Sequence, residues 1–142
     1  MTTLADLSRF KLIYLATPYT HFKLGHHAAY AQACSIACKL IVRGLKVFCP
    51  VAHGHPLSYS EGGFLDPADH DLWNGINDPF LGVCDALLIA QMDGWETSKG
   101  IAREVDDFLM QGKPIYFLDP STLGVERTPG LRISRELKES AA

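Results

Sequence analysis

The 142-residue chain is 47% hydrophobic and 20% charged with a formal net charge of −3, the composition of a globular domain rather than of a disordered one. This length fits a single domain over residues 1–142 and lets roughly two-thirds of the unfolded surface be buried. The slight acidic balance argues against a nucleic-acid polymer as partner, which calls for a basic surplus or face, and no apolar run reaches the ~20 residues of a membrane span.

The first residues, MTTLADLSRF, hold neither an apolar run nor a small-residue cleavage site, so a cytoplasmic location is expected. KLIYLA at 11–16 reads as a short buried strand that runs directly into the loop TPYTH. From Leu24 to Arg43 the spacing turns helical, with Leu24, Ala28, Ala31, Cys38, Ile41 and Val42 on one predicted stripe. Gly44 follows as a left-handed cap would. A second strand is predicted over 45–51 (LKVFCPV), then a Gly-, Pro- and Ser-rich excursion, AHGHPLSYSEGGFLDP. Loops of that length tend to be functional or mobile. A short helix over 68–76 and a second helical turn from Asp78 precede a strong buried strand at 85–91 (DALLIAQ). The loop MDGWET leads to Ser98, a good helix N-cap, and the helix runs to about Gln111 before Gly112. KPIYFL at 113–118 is the fourth strand, and a terminal helix is predicted near Leu131–Glu139. Of the four cysteines, Cys34, Cys38, Cys49 and Cys84, none forms a CxxC pair; Cys34 and Cys38 share a helix face among small apolar residues and read as buried free thiols rather than a metal pair.

Strands that alternate with helices and are apolar on both faces predict an α/β domain. The expected architecture is a three-layer Rossmann-like or flavodoxin-like domain. A central parallel sheet of four to five strands carries helices on both faces, with a core at about 11–118 and a C-terminal extension at 119–142. Ligands bind such sheets at the carboxyl ends of their strands. Those ends are TPYTH, which holds Thr17 and Tyr19 as substrate-binding candidates, the HGH segment, the MDGWETS loop and Asp119.

The helix after Ser98 is the most informative segment. Ile101, Val105, Phe108 and Leu109 form its apolar stripe, and Glu104 projects from the same side, whereas Asp106 and Asp107 can face solvent. A carboxylate on an inward stripe is costly unless it is paired or works. Glu104 is either a helix glutamate bonded to a neighbouring loop or a catalytic carboxylate, and a carboxylate can attack a sugar carbon. Ser98 and Gly100 open the helix with free N–H groups and room for close approach, which suits an anion.

Other constellations are weaker. His53 and His55, on a segment read as extended, would point the same way, with Asp66, Asp69, His70 and Asp71 near in sequence. That would allow a metal-dependent hydrolase, although lining of a ligand pocket, by His53 in particular, is the preferred role and no metal is assigned. Trp95 is a candidate for stacking on a base, and Trp73 is read as packing. Asp85 starts its strand at the far edge and is read as structural, whereas Asp119 fits a turn or a ligand contact. The chain has no G-x-G-x-x-G, Walker loop or nucleophile elbow, which lowers the odds of a dinucleotide, P-loop or serine-hydrolase enzyme.

Four elements in order carry a resemblance: Ile13-Tyr14-Leu15-Ala16, Asp78 ahead of Asp85, Ser98-Lys99-Gly100-Ile101-Ala102-Arg103-Glu104, and Gly112-Lys113-Pro114-Ile115. On these the chain resembles the nucleoside 2-deoxyribosyltransferase-like superfamily, which includes 2′-deoxynucleoside 5′-phosphate N-hydrolases, over roughly 11–118. The resemblance implies Glu104 as the nucleophile that forms a glycosyl-enzyme, Tyr14 as its orienting partner, and Asp78 as the residue that handles the base and helps it leave. It implies no cofactor, a nucleoside or nucleotide as small-molecule partner, and a homo-oligomer. Serine at position 98, where transferases of free nucleosides have an aspartate, tilts the expectation toward a phosphorylated substrate. The loop Thr17-Pro18-Tyr19-Thr20-His21 lacks the arginine that the hydrolases have there, and Lys23 is the nearest cation. The expected activity is hydrolysis or transfer at an N-glycosidic bond, and a nucleotide-sensing domain without catalysis is the alternative.

Overall fold

Every residue of β1 (Ile13–Ala16), β3 (Ala86–Ala90) and β4 (Ile115–Leu118) is buried, as expected of strands covered on both faces. Their side chains divide by the two-residue period of a strand. Ile13, Leu15, Leu88 and Leu118 join one core cluster, and Tyr14, Leu87, Ile89 and Phe117 join another. The first cluster is closed by α1 (His26–Val42), the second by α3 (His70–Val83) and α4 (Lys99–Met110). The computed structural model, which describes residues 1–127 and Leu137, is therefore a three-layer α/β fold.

With β2 (Val47–Phe48) and β5 (Val125–Arg127) the sheet runs β2-β1-β3-β4-β5. All neighbours are parallel except β4 and β5. From β1 the chain first adds β2 on one side and then β3 on the other. The direction of winding thus reverses between β1 and β3, where a doubly wound sheet opens a crevice at its carboxyl edge. At the opposite edge the Asp85 carboxylate accepts hydrogen bonds from the backbone N–H of Lys11 at 2.7 Å and of Leu12 at 3.4 Å, which ties the entrances of β1 and β3 together.

Several elements differ from the sequence expectation. The helix from Leu24 begins at His26, and its buried stripe is Ala29, Ala33, Ile36, Ala37 and Leu40. Leu24 and Val42, expected inside, are 65% and 76% exposed. Apolar residues surround most of this helix, so periodicity does not select a face, whereas close approach to the sheet selects the alanines. Gly44 does close it, at φ +90° with Leu45 N–H donating to Leu40 O. The second strand is only Val47–Phe48, because Pro50, well suited to a first helical position, opens α2 (Pro50–Ser58) inside what was expected to be strand and loop. The two helical pieces expected around residues 68–78 form one continuous α3 that accommodates Pro79. Cys49 and Cys84 are buried free thiols, but Cys34 is half-buried and Cys38 exposed. The polar tail supplies the unexpected edge strand β5, and the helix expected at Leu131–Glu139 lies, Leu137 apart, outside the described residues. Among the described residues no helix is long and apolar enough to cross a membrane.

Asp85→Ala should cost about 1–3 kcal/mol, the penalty of orphaned backbone donors. Asp85→Asn, which keeps an acceptor, should cost visibly less in the same urea titration.

Candidate active site

The crevice between the carboxyl ends of β1 and β3 is a cavity of ≈ 510 Å³, within the size range of small-molecule sites. The loop after β1 contributes Thr17 and Tyr19 to its wall, and the loop after β3 contributes Asp93 and Gly94. The first turns of α4 contribute Ser98, Gly100, Arg103 and Glu104. Opposite them stand His55 and Ser58 of α2 with Trp73, Asn74 and Asn77 of α3.

Glu104 owes its position to the start of α4. Ser98 Oγ accepts from Ile101 N–H at 3.2 Å, the side-chain cap that begins the helix. Ile101, Val105 and Phe108 then seat the helix on the sheet, and Glu104 on the same stripe is only 9% exposed while lining the cavity. Beneath it, at the centre of the sheet, the Tyr14 hydroxyl donates a hydrogen bond to the Glu104 carboxylate. The Tyr14 ring is held edge-on by Phe48 at 5.7 Å and Phe108 at 6.0 Å between ring centres. Burial raises the Glu104 pKa from 4.5 to about 7, and the Tyr14 hydrogen bond and the Arg103 charge act in the opposite sense. The Tyr14 hydroxyl is itself held strongly protonated by burial and by the adjacent Glu104 charge. It is thus a fixed donor to Glu104 and not a base. A carboxylate with a pKa near neutrality that faces a cavity is a group suited to nucleophilic or proton-transfer chemistry.

Six of the residues singled out from sequence meet here: Glu104, Tyr14, Ser98, Gly100, Thr17 and Tyr19 all line the cavity. A Cβ at Gly100 would come no closer than 3.8 Å to Ser98 Oγ, so the protein itself leaves room at that point. Three others do not line it. Asp78 is exposed and ion-paired with Arg103. Because α3 is continuous, His70, Trp73, Asn74 and Asn77, at i, i+3, i+4 and i+7, share the cavity face. Asp78 is rotated one position beyond it. His53 is exposed beside Phe48, because α2 turns His53 and His55 to different sides of a helix, and His55 is the one that lines the cavity. Trp95 is buried in the core against Phe117, with ring centres 5.1 Å apart, and cannot offer a free face to a ligand.

Trp73, read from sequence as packing, does pack on α2 and is the tryptophan that lines the cavity. Its Nε1–H donates to Asp66 O at 2.9 Å, and its ring closely backs Gly54 of α2. Reading 68–83 as one helix would have exposed the stripe from His70 to Asn77, and Arg103 could have been found as the neighbour of Glu104. Lys23 pairs with Asp93 at 2.9 Å across two loops on the surface. Two of the acids weighed as ligands, Asp66 and Asp69, are engaged in local structure. Asp69 Oδ1 caps α3 through Leu72 N–H and Asp66 Oδ1 accepts from Ala68 N–H. Among the described residues no group of three or more His, Cys, Asp or Glu is placed to hold a metal ion. Asp119 serves a turn, accepting from Ser121 N–H and Oγ.

The raised pKa of Glu104 makes stability depend on pH with a definite sign. The folded state binds this proton more tightly than the unfolded chain. The resulting stabilisation is full below pH 4.5 and is lost as pH rises through about 7. Glu104→Gln, which cannot ionise, should therefore be more stable than the parent protein at about pH 8, by up to about 3 kcal/mol, and the gap should close in thermal melts at acid pH.

No curated protein matches the chain significantly. The model of a family described as Domain of unknown function (DUF1937) matches residues 11–119, a span that contains the four parallel strands, α1 to α4 and the whole cavity lining. With that match over most of its length, the chain belongs to the DUF1937 family.

Proposed function

We propose that this protein cleaves the N-glycosidic bond of a nucleoside or deoxynucleoside, or of its 5′-monophosphate, with Glu104 as the nucleophile. The observation that carries this reading is the Tyr14–Glu104 pair. It couples a nearly buried carboxylate, held by a tyrosine that stays protonated, to a cavity large enough for a nucleotide. One Glu104 oxygen attacks the anomeric carbon as the C–N bond breaks, and the electron pair leaves on the base nitrogen. Water then attacks the same carbon and releases Glu104, or a second base captures the sugar, which gives hydrolysis or transfer by the double-displacement logic of retaining glycosidases. Tyr14 steadies the carboxylate at the point of attack, and no cofactor is required.

The rest of the cavity suits the two ends of such a substrate. The Asn74 and Asn77 amides each offer donors and an acceptor for a base edge, and the indole of Trp73 offers a surface for stacking. Ser98, Lys99 and Gly100 at the start of α4 suit an anionic 5′-group, since a helix N-terminus favours negative charge. The sequence motifs around Tyr14, Ser98 and Glu104 support placing the chain with the nucleoside 2-deoxyribosyltransferase-like superfamily, and a homo-oligomer is the assembly that kinship implies. The second reading is a nucleotide-sensing domain without turnover, and its specific support is Asp78, which stands outside the cavity in an ion pair with Arg103.

Incubation with the 2′-deoxynucleosides and their 5′-monophosphates, followed by chromatography of free base, tests the proposal. Base release is expected from at least one of them, rising with pH through about 7 as Glu104 ionises. Glu104→Gln should lower it by roughly a thousandfold or more. Tyr14→Phe removes the hydrogen bond that lowers the Glu104 pKa, so the ascending limb should move to higher pH. Unchanged turnover in Glu104→Gln would sink the proposal. A ligand-induced rise in melting temperature with no base released would favour sensing.

A further inference from the structure

Cleavage through Glu104 leaves a proton to be delivered to the departing base, and Asp78 is turned away from the cavity. On the opposite wall stands a cluster of tyrosines and histidines that the chemistry above does not use. Tyr19 Oη lies 2.7 Å from His55 Nδ1, and His55 Nε2 lies 2.9 Å from His27 Nδ1. Tyr19 and His55 line the cavity, His55 is 4% exposed, and His27 is at the protein surface. Two short hydrogen bonds thus lead from the cavity wall through a buried imidazole to solvent.

We propose that Tyr19, His55 and His27 form a proton relay that carries a proton from solvent to the leaving base and returns one in the second half of the reaction. This inference rests on the glycosidic reading of the same cavity. Tyr19 is the catalytic member, and His55 and His27 act through it.

The proton balance closes over one turnover. At the start His27 Nδ1–H donates to His55 Nε2, and His55 Nδ1–H donates to Tyr19 Oη. As the C–N bond breaks, Tyr19 gives its proton to the base nitrogen and takes one from His55 Nδ1. His55 takes one at Nε2 from His27, which gains one from solvent. When water attacks the anomeric carbon and the bond to Glu104 breaks, the flow reverses. Water gives a proton to Tyr19, Tyr19 gives one to His55 Nδ1, His55 Nε2–H returns to His27, and His27 releases one to solvent. The net reaction adds water across the glycosidic bond, and every ring regains its starting tautomer.

The packing suits such a task. His55 is stacked on Tyr30 at 4.4 Å between ring centres and flanked by Tyr59 at 4.6 Å, while Tyr19 is stacked on His26 at 4.3 Å. His26 is held in turn by the Tyr59 hydroxyl at 3.0 Å and Thr20 O at 3.2 Å. The titratable groups facing the His55 ring are therefore Tyr19 from the loop after β1, His27 and Tyr30 from α1, and Tyr59 beyond α2. Burial, followed by the proximity of His27 and His26, lowers the His55 pKa. A lasting positive charge on His55 is thus disfavoured, and the ring is suited to passing a proton on rather than keeping it.

The test compares the parent protein with Tyr19→Phe, His55→Gln and His27→Gln. Base release from the 2′-deoxynucleosides and their 5′-monophosphates is measured beside the first-turnover burst of nitrophenolate from 4-nitrophenyl 2-deoxyriboside, whose phenolate leaves without a proton. The expected result is a loss of base release of about a hundredfold or more in each variant, with the nitrophenolate burst held within a few-fold. His27 is exposed, so His27→Gln should keep the fold and decide the matter even if His55→Gln does not fold, and added imidazole should restore part of its rate. Base release that is unchanged in all three variants overturns the relay and leaves the glycosidic reading standing. A parallel loss of the nitrophenolate burst also overturns it, since that marks a structural role. Failure of the parent protein to cleave any of these compounds overturns both.

Discussion

An acid on the inner stripe of a helix must be either neutral or held, and in this protein the holding group comes from the middle of the sheet. Tyr14 donates to Glu104 from β1, while Ile101, Val105 and Phe108 seat α4 against the same sheet face. The hydrogen bond offsets part of the desolvation that burial imposes, but not all of it, and the carboxyl pKa settles near neutrality. The interaction therefore couples three layers of structure: strand β1, helix α4 and the cavity above them. Losing the register of either element would move the donor away from the acceptor, because one residue of slip turns a strand side chain to the opposite face.

Sheet order explains why this pair meets open space rather than core. The chain winds from β1 to β2 on one side and to β3 on the other, so the loops that follow β1 and β3 diverge above Tyr14. Thr17 and Tyr19 on one loop and Asp93 and Gly94 on the other leave the carboxyl edge uncovered there. Helices α2 and α3 then enclose the space from the side, with Trp73 packed closely on Gly54 where they meet. The same segments that make the connection between β2 and β3 unusually long thus build the wall of the cavity.

Two polar systems border the cavity and differ in kind. The Tyr14–Glu104 pair is sealed beneath and open only toward the cavity, which suits a group meant to act on a bound molecule. The histidine and tyrosine cluster is connected from the cavity wall to the surface, where His27 meets solvent. Buried polar networks of this kind are costly unless their members are satisfied, and the stacked rings of Tyr19 and Tyr30, with the tilted ring of Tyr59, hold the imidazoles in place for those bonds. The exposed Arg103–Asp78 pair contributes little to stability by comparison, yet it anchors a cation at the cavity rim.

Local patterns in the chain were enough for the elements whose physics is local. The apolar runs of β1, β3 and β4, the Ser98 cap, the stripe that carries Glu104 and the left-handed turn at Gly44 are all written in neighbouring residues. Tertiary packing decided the rest. The face of α1 was illegible because apolar residues surround that helix, and only contact with the sheet prefers its alanines. Pro50 turned an apparent strand into α2 and so exchanged His53 for His55 at the cavity. The continuity of α3 through Pro79 set Asn74 and Asn77 inside and Asp78 outside. Which side chains share a site depends on how helices rotate against a sheet, and that rotation is fixed by long-range contacts that no short window of sequence contains.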